Sequence, residues 1–134
     1  MDILKSLTDL NSVGGRIRYY RLAHGLLQED VATKAGIDVC TVKRYENNQR
    51  EESLEICNKI AEAIGIDPKL LYDEYLSFTA SDYGKRIKSS RIKLNLTQQD
   101  FGQLLGVHRK TVVCWEKARK KPLREHYLLL AKFL

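Results

Sequence analysis

Apolar residues recur three and four positions apart along most of the chain, and glycines or polar runs interrupt them at short intervals. Leu4, Leu7 and Leu10 are spaced by three, which predicts a short amphipathic helix over residues 2–10. Gly14 and Gly15 weaken any continuous helix there. A helix from about 15 to 24 follows, with Ile17 and Leu22 inward and Arg16, Arg18 and Arg21 interleaved, and Gly25 ends it. Gln28 to Ala35 reads as a second helix stopped by Gly36. Asp38 is a good N-cap for a third helix reaching Glu46 or Asn47. Past a polar loop, Ser53 caps a helix whose inward residues are Leu54, Cys57, Ile60, Ala61 and Ile64, with Gly65 closing it. Asp67-Pro68 opens a fifth helix, because proline suits a first helical turn, and Leu70, Leu71, Tyr75 and Phe78 give it an apolar face.

The pattern then starts again. Gly14, Arg16, Ile17, Arg21, Leu26, Gln28, Asp30, Gly36, Thr41, Val42 and Glu46 recur 70 positions later as Gly84, Arg86, Ile87, Arg91, Leu96, Gln98, Asp100, Gly106, Thr111, Val112 and Glu116. These are 11 identities in 34 gap-free positions, where average residue usage gives roughly two. One module is used twice, which overrides the single-domain expectation for a 134-residue chain. The second copy predicts helices near 84–94, 98–105 and 108–117, then a basic loop, Pro122 and a last helix to Leu134. Leu130 to Leu134 matches Ile60 to Ile64 at the same offset, so the second copy carries no counterpart of the fifth helix. The division expected is an arm over 1–13, a first domain over 14–78, a linker over 79–83 and a second domain over 84–134. No segment reads as a strand, and the fold class is all-α.

Composition narrows the function. Hydrophobic content of 43% and charged content of 30% fit a globular protein. No apolar run approaches the roughly 20 residues that span a bilayer. The N-terminus lacks the basic and apolar regions of a signal peptide, so a cytoplasmic location is expected and a membrane partner is not. Cys40, Cys57 and Cys114 show no metal spacing, and His24, His108 and His126 are scattered, so neither a metal site nor a catalytic triad is expected. No cofactor motif is present. The net charge of +6 is uneven. Residues 1–79 hold 10 Lys and Arg against 13 Asp and Glu, a net of −3, whereas residues 80–134 hold 13 against 4, a net of +9. A strongly basic half points to an anionic partner, most simply nucleic acid.

Two short helices joined at a turn glycine make a helix-turn-helix. Ala32, Ile37 and Val42, with Gly102, Val107 and Val112, are the small and apolar residues that let the helices meet, and Tyr45 and Trp115 cover the back of the third helix. Arg-x-x-x-Arg on helix one, Leu-x-Gln opening helix two, Gly at the turn, Thr-Val on helix three and an aromatic-Glu at its end resemble the Cro/cI-type (lambda-repressor-like, XRE) helix-turn-helix family of bacterial and phage DNA-binding regulators. The resemblance covers nearly the whole chain and implies two such domains in tandem, one of five helices and one truncated to four.

The resemblance also implies roles. The helix-one arginine pairs with the glutamate ending helix three, so Arg21 with Glu46 and Arg91 with Glu116 are expected as structural ion pairs. Gln28 and Gln98 match a phosphate-contacting glutamine at a helix N-terminus, where free N–H groups favour an anion. Thr97 with Asp100 resembles a capping box, and Leu27 replaces that threonine in the first copy. The base-reading faces would be those of the recognition helices 38–47 and 108–117: Asp38, Val39, Cys40, Lys43, Arg44 and Asn47 in copy one, and His108, Arg109, Lys110, Val113 and Cys114 in copy two. Arg109 and Lys110 suit guanine O6 and N7. Lys117, Arg119, Lys120 and Lys121 extend copy two's basic surface toward phosphates.

The function expected is a sequence-specific transcriptional regulator, a repressor of bacterial or phage origin rather than an enzyme, with double-stranded DNA as partner and copy two as its main docking module. Two modules docking on one duplex face would read half-sites about 34 Å apart. A homodimer through Leu4, Leu7, Leu10 and the fifth helix is the accompanying expectation. The alternative is a protein-binding regulator, an antitoxin or a phage-encoded inhibitor, gripping a protein partner through the acidic first domain. An exposed apolar patch on 2–10 or 68–78 would support it. Non-specific nucleoid binding is the third reading.

Overall fold

The computed structural model of the chain describes residues 9–134, so the helix expected over 2–10 lies almost wholly outside the described residues. The described residues form α-helices joined by short turns, with no strand among them. The chain divides into two compact units between Leu76 and Ser77.

In the first unit α1 is Val13–Ala23, α2 Gln28–Ala35, α3 Val39–Glu46 and α4 Leu54–Ile64. Helix α1 starts ahead of the glycine pair rather than after it. Ser12 accepts a capping hydrogen bond from the Gly15 amide at 3.0 Å, which offsets the glycines' poor helix propensity. Gly14 is itself needed for packing: a Cβ there would meet the Tyr45 carbonyl oxygen at 2.2 Å. The inward face of α1 carries Val13, Ile17 and Arg21. Leu22, expected inward, is exposed, because it follows Arg21 by one position and so turns about 100° off the buried stripe. Helices α1 to α4 enclose Ile17, Val31, Val42, Tyr45, Cys57, Ile60 and Ala61, with Ala32 where α2 meets the turn.

Past α4 the expected fifth helix breaks in two. Asp67 caps a single 3-10 turn, Pro68–Leu70, and α5, Glu74–Ala80, begins only after it. Asp73 restarts the helix, its Oδ1 accepting from the Leu76 amide at 2.8 Å, and Arg16 holds the chain at the break. Its guanidinium donates to the Leu71 and Tyr72 carbonyls at 3.4 and 3.0 Å, which removes those acceptors from a continuous helix. Leu71 and Leu76 are buried in the first core. Phe78, expected on the same face, belongs to the second core. Of the segment expected as linker, Thr79 and Ala80 close α5, and Tyr83 opens the next helix.

The second unit continues with α6, Tyr83–Lys93, α7, Gln98–Leu105, α8, Arg109–Glu116, and α9, Arg124–Leu130. Its core gathers Phe78, Tyr83, Ile87, Phe101, Leu105, Val112, Trp115 and Leu130. Gly84 repeats the role of Gly14, lying against the Glu116 carbonyl oxygen, 2.6 Å from where a Cβ would sit. The last helix stops at Leu130, short of the expected Leu134. Ser53 accepts from the Ile56 amide at the start of α4, whereas its counterpart Leu123 makes no side-chain cap. Both helices nevertheless start at equivalent positions, Leu54 and Arg124, and α9 has 7 residues against 11 in α4 because it ends earlier.

Candidate nucleic-acid interface

Each unit presents the same three-part construction. A second helix ends at a glycine in the left-handed region, Gly36 at φ 68° and Gly106 at φ 74°, a conformation that a Cβ disfavours. The Ile37 amide then returns to the Ala32 carbonyl at 3.0 Å, and the Val107 amide to the Gly102 carbonyl at 2.8 Å. These bonds aim the following helix, α3 or α8, so that Val42 and Val112 point inward at zero exposure.

Both expected ion pairs are present and bidentate. Arg21 donates through Nε and Nη2 to the Glu46 carboxylate at 2.7 and 2.9 Å, and Arg91 to Glu116 at 2.7 and 3.0 Å. The remaining Nη1 groups donate to the Leu26 and Leu96 carbonyls, each at 2.9 Å. The hydrogen bonds that Arg91 donates to Glu116 push the Arg91 pKa up against the opposing effect of burial. One arginine thus ties the first helix to the end of the third and to the turn before the second.

The glutamines lie closer to this pair than their spacing suggested. Gln28 Nε2 donates to Glu46 Oε1 at 3.3 Å, and Gln98 Nε2 to Glu116 Oε1 at 3.4 Å. Their side chains are half-buried and held at the start of α2 and α7. The helix-start chemistry differs between the units. Thr97 accepts from the Asp100 amide at 3.1 Å. Leu27 has no such acceptor, and only the reverse bond remains, from the Leu27 amide to the Asp30 carboxylate at 2.8 Å.

On α3 the candidate residues Cys40, Lys43, Arg44 and the following Asn47 are exposed, while Val39 is half-buried against the first core. Asp38 stands at the N-cap position, yet its side chain accepts no capping bond. On α8, Arg109 and Lys110 are exposed, and Val113 and Cys114 are half-buried. His108 is the N-cap, its Nδ1 accepting from the Lys110 amide at 3.0 Å. Lys117, Arg119, Lys120 and Lys121 are all exposed.

The third helices end differently. Tyr45 receives a hydrogen bond at its hydroxyl from the Ser53 amide at 3.1 Å, closing the loop down onto α3. Trp115 has no hydroxyl and instead packs against His126, ring centroids 5.5 Å apart. An open groove of about 380 Å³ results, lined by Lys110, Thr111, Cys114, Trp115, Lys120, Lys121, Leu123 and His126. Three lysines around an apolar floor can attract a phosphate-bearing chain and rest its sugars on Leu123. Leu123 and His126 carry no signal in the sequence that marks them for this surface.

Among the described residues no group of His, Cys, Asp or Glu is placed to hold a metal ion. No helix among them is long and apolar enough to cross a membrane. A family model for helix-turn-helix domains matches residues 17–71 and again residues 87–134. A relative named as an uncharacterized HTH-type transcriptional regulator, from Methanocaldococcus jannaschii, is 37% identical over 51 residues, which is 38% of this chain and 77% of that protein. No solved structure matches the chain.

Proposed function

The chain belongs to the helix-turn-helix family, of the Cro/cI type, and is a DNA-binding transcriptional regulator; on that premise we propose that it is a sequence-specific repressor whose second unit is the principal reader. Helix α8 enters the major groove with Arg109 and Lys110 at the base edges. Gln98 at the start of α7, together with Lys117, Arg119, Lys120 and Lys121, holds the phosphates on either side. The observation carrying this reading is the exposure of both α8 cations beside a lysine-lined groove that continues their surface. The first unit makes a weaker second contact through Lys43, Arg44 and Asn47, with Gln28 toward a phosphate. Repression follows from occupancy of the site.

A protein-docking role for the first unit has less to support it. Of the apolar face expected on 68–78, Leu71 and Phe78 are buried at 0 and 2% exposure and Tyr75 is partly buried, which leaves Leu70 alone exposed, at 45%.

Selection from random duplexes at fixed salt should enrich one motif. Against that motif, Arg109→Ala with Lys110→Ala should cost roughly a hundredfold in affinity. Lys43→Ala with Arg44→Ala should cost roughly tenfold or less. Equal losses in a gel-shift titration would refute the asymmetry. Enrichment of no motif, with steep salt dependence retained, would replace sequence-specific reading by nucleoid-type binding.

A further inference from the structure

The groove beside the end of α8 is built for more than a passing backbone phosphate. It measures about 380 Å³, inside the roughly 300–1,000 Å³ range of small-molecule sites. Lys110, Lys120 and Lys121 line it and no carboxylate does. None of the three lysines has an ion pair among the described residues. Leu123 stands beside them, 56% exposed. At that position the first unit has Ser53, which caps its helix. The second unit thus forgoes a cap and gains an apolar surface at the groove. His126, packed on Trp115, adds an aromatic ring to the same wall. The first unit builds no such site. Cys40, Arg50 and Glu51 stand at the lysine positions, and the Ser53 amide is tied to the Tyr45 hydroxyl.

We propose that this groove is an effector site for a free nucleotide carrying two or three phosphates, and that the nucleotide releases the protein from DNA. The phosphates lie among Lys110, Lys120 and Lys121, three compact charges that suit a polyphosphate. The base rests on Leu123 and the His126 ring, a contact that every base can make because each has a π-face. The release step rests on the reading of these lysines as DNA contacts. Duplex and nucleotide then need the same three ammonium groups, so each lowers the apparent affinity of the other by the same factor.

Trp115 is the chain's only tryptophan, so its emission reports on the groove with no DNA present. The full chain is titrated with ATP, inorganic tripolyphosphate and adenosine in low-salt buffer free of divalent cations, with equilibrium dialysis of ATP as the direct measure of binding. ATP should change the emission and saturate below roughly 1 mM. Tripolyphosphate, lacking the base, should bind roughly tenfold more weakly, and adenosine should not bind in that range. Lys110→Ala with Lys121→Glu should weaken ATP binding by roughly thirtyfold or more. Leu123→Ser, which installs the first unit's capping residue, should weaken ATP binding and leave tripolyphosphate unchanged. No ATP bound by dialysis, equal affinities for ATP and tripolyphosphate, or indifference to both variants overturns the site. On the duplex motif obtained by selection, ATP should displace the chain; ATP that binds without displacing it overturns the release step. A chain that binds the motif but no ATP overturns this proposal and leaves the DNA-reading assignment standing.

Discussion

Tyr45 and Trp115 occupy the same place in two copies of one module. Tyr45 holds the Ser53 amide through its hydroxyl and so draws the loop over the end of α3. Trp115 packs on His126 instead, and the corresponding space is an open groove edged by Lys110, Lys120 and Lys121. The residues around it have changed in step. Cys40, Arg50 and Glu51 in the first unit stand where Lys110, Lys120 and Lys121 stand in the second. The parts that aim the third helix have not changed: the turn glycine, the buried valine and the arginine–glutamate pair are common to both. A module of this size can therefore exchange its outer face without touching what orients it. The difference between the units lies in the side chains they present.

If the orienting parts are equivalent, breaking them should do equal harm in either unit, and this is the largest effect expected. Arg21→Ala leaves the Glu46 carboxylate buried without its cation, and Arg91→Ala does the same to Glu116. The side-chain exposures are 8% and 2% in the first pair and 13% and 4% in the second. Removing one partner of such a pair costs about 3–5 kcal/mol, enough to unfold a unit of this size near room temperature. Each substitution should lower the melting transition of its own unit, read by circular dichroism. A transition unmoved by either change would mean that the pair does not hold that unit together.

Most of this frame could be read from the sequence, because its rules act over short spans. The ends of α2 and α7 follow from glycines that permit a left-handed turn, and both helices match their expected bounds to the residue. The ion pairs followed from the family resemblance, carried over position by position. What stayed illegible depends on contacts between distant residues. At the break in the fifth helix of the first unit Arg16 takes the Leu71 and Tyr72 carbonyls, which the spacing of residues 67–78 does not announce, although Asp73 is a local capping signal for the restart. The bonds from Gln28 and Gln98 to the glutamates need the folded angle between two helices. At the candidate interface, sequence singled out the exposed cations, but it also nominated Val39, which is half-buried against the first core. Helical position alone cannot separate those cases when a residue sits at the edge of the stripe.

A smaller effect sharpens the contrast at the helix starts. Thr97 caps α7, and Leu27 leaves α2 with half of that arrangement while standing 64% exposed. Leu27→Thr should supply the missing acceptor to the Asp30 amide and lose little packing. The expected gain is about 1 kcal/mol, seen as a rise of several degrees in the first unit's melting temperature. An unchanged or lowered melt would show that the exposed leucine has a packing role in solution.

The smallest effect concerns the second residue past each third helix. Asn48 and Ala118 both hold left-handed backbone, at φ 55° and 57°. Asparagine visits that region readily, and alanine is penalised there by its Cβ. Asn48 also uses its side chain, whose Oδ1 accepts from the Gly14 amide at 3.2 Å while Nδ2 donates to Ser12 Oγ at 3.3 Å. It thereby satisfies an otherwise unpaired amide at the start of α1, where helix N–H groups lack intrahelical acceptors. Ala118 can do neither. Because Gly84 packs on the end of α8 as Gly14 packs on the end of α3, its nearest approach 2.6 Å against 2.2 Å, an asparagine at 118 should reach the Gly84 amide. Ala118→Asn should then stabilise the second unit by about 0.5–1 kcal/mol, raising its urea midpoint with no change in the slope. A gain confined to the second transition would mean that the two modules still share one geometry at this turn. A loss would mean that the second module has departed from the first in backbone as well as in side chains, and the residue-by-residue transfer between them would fail at that point.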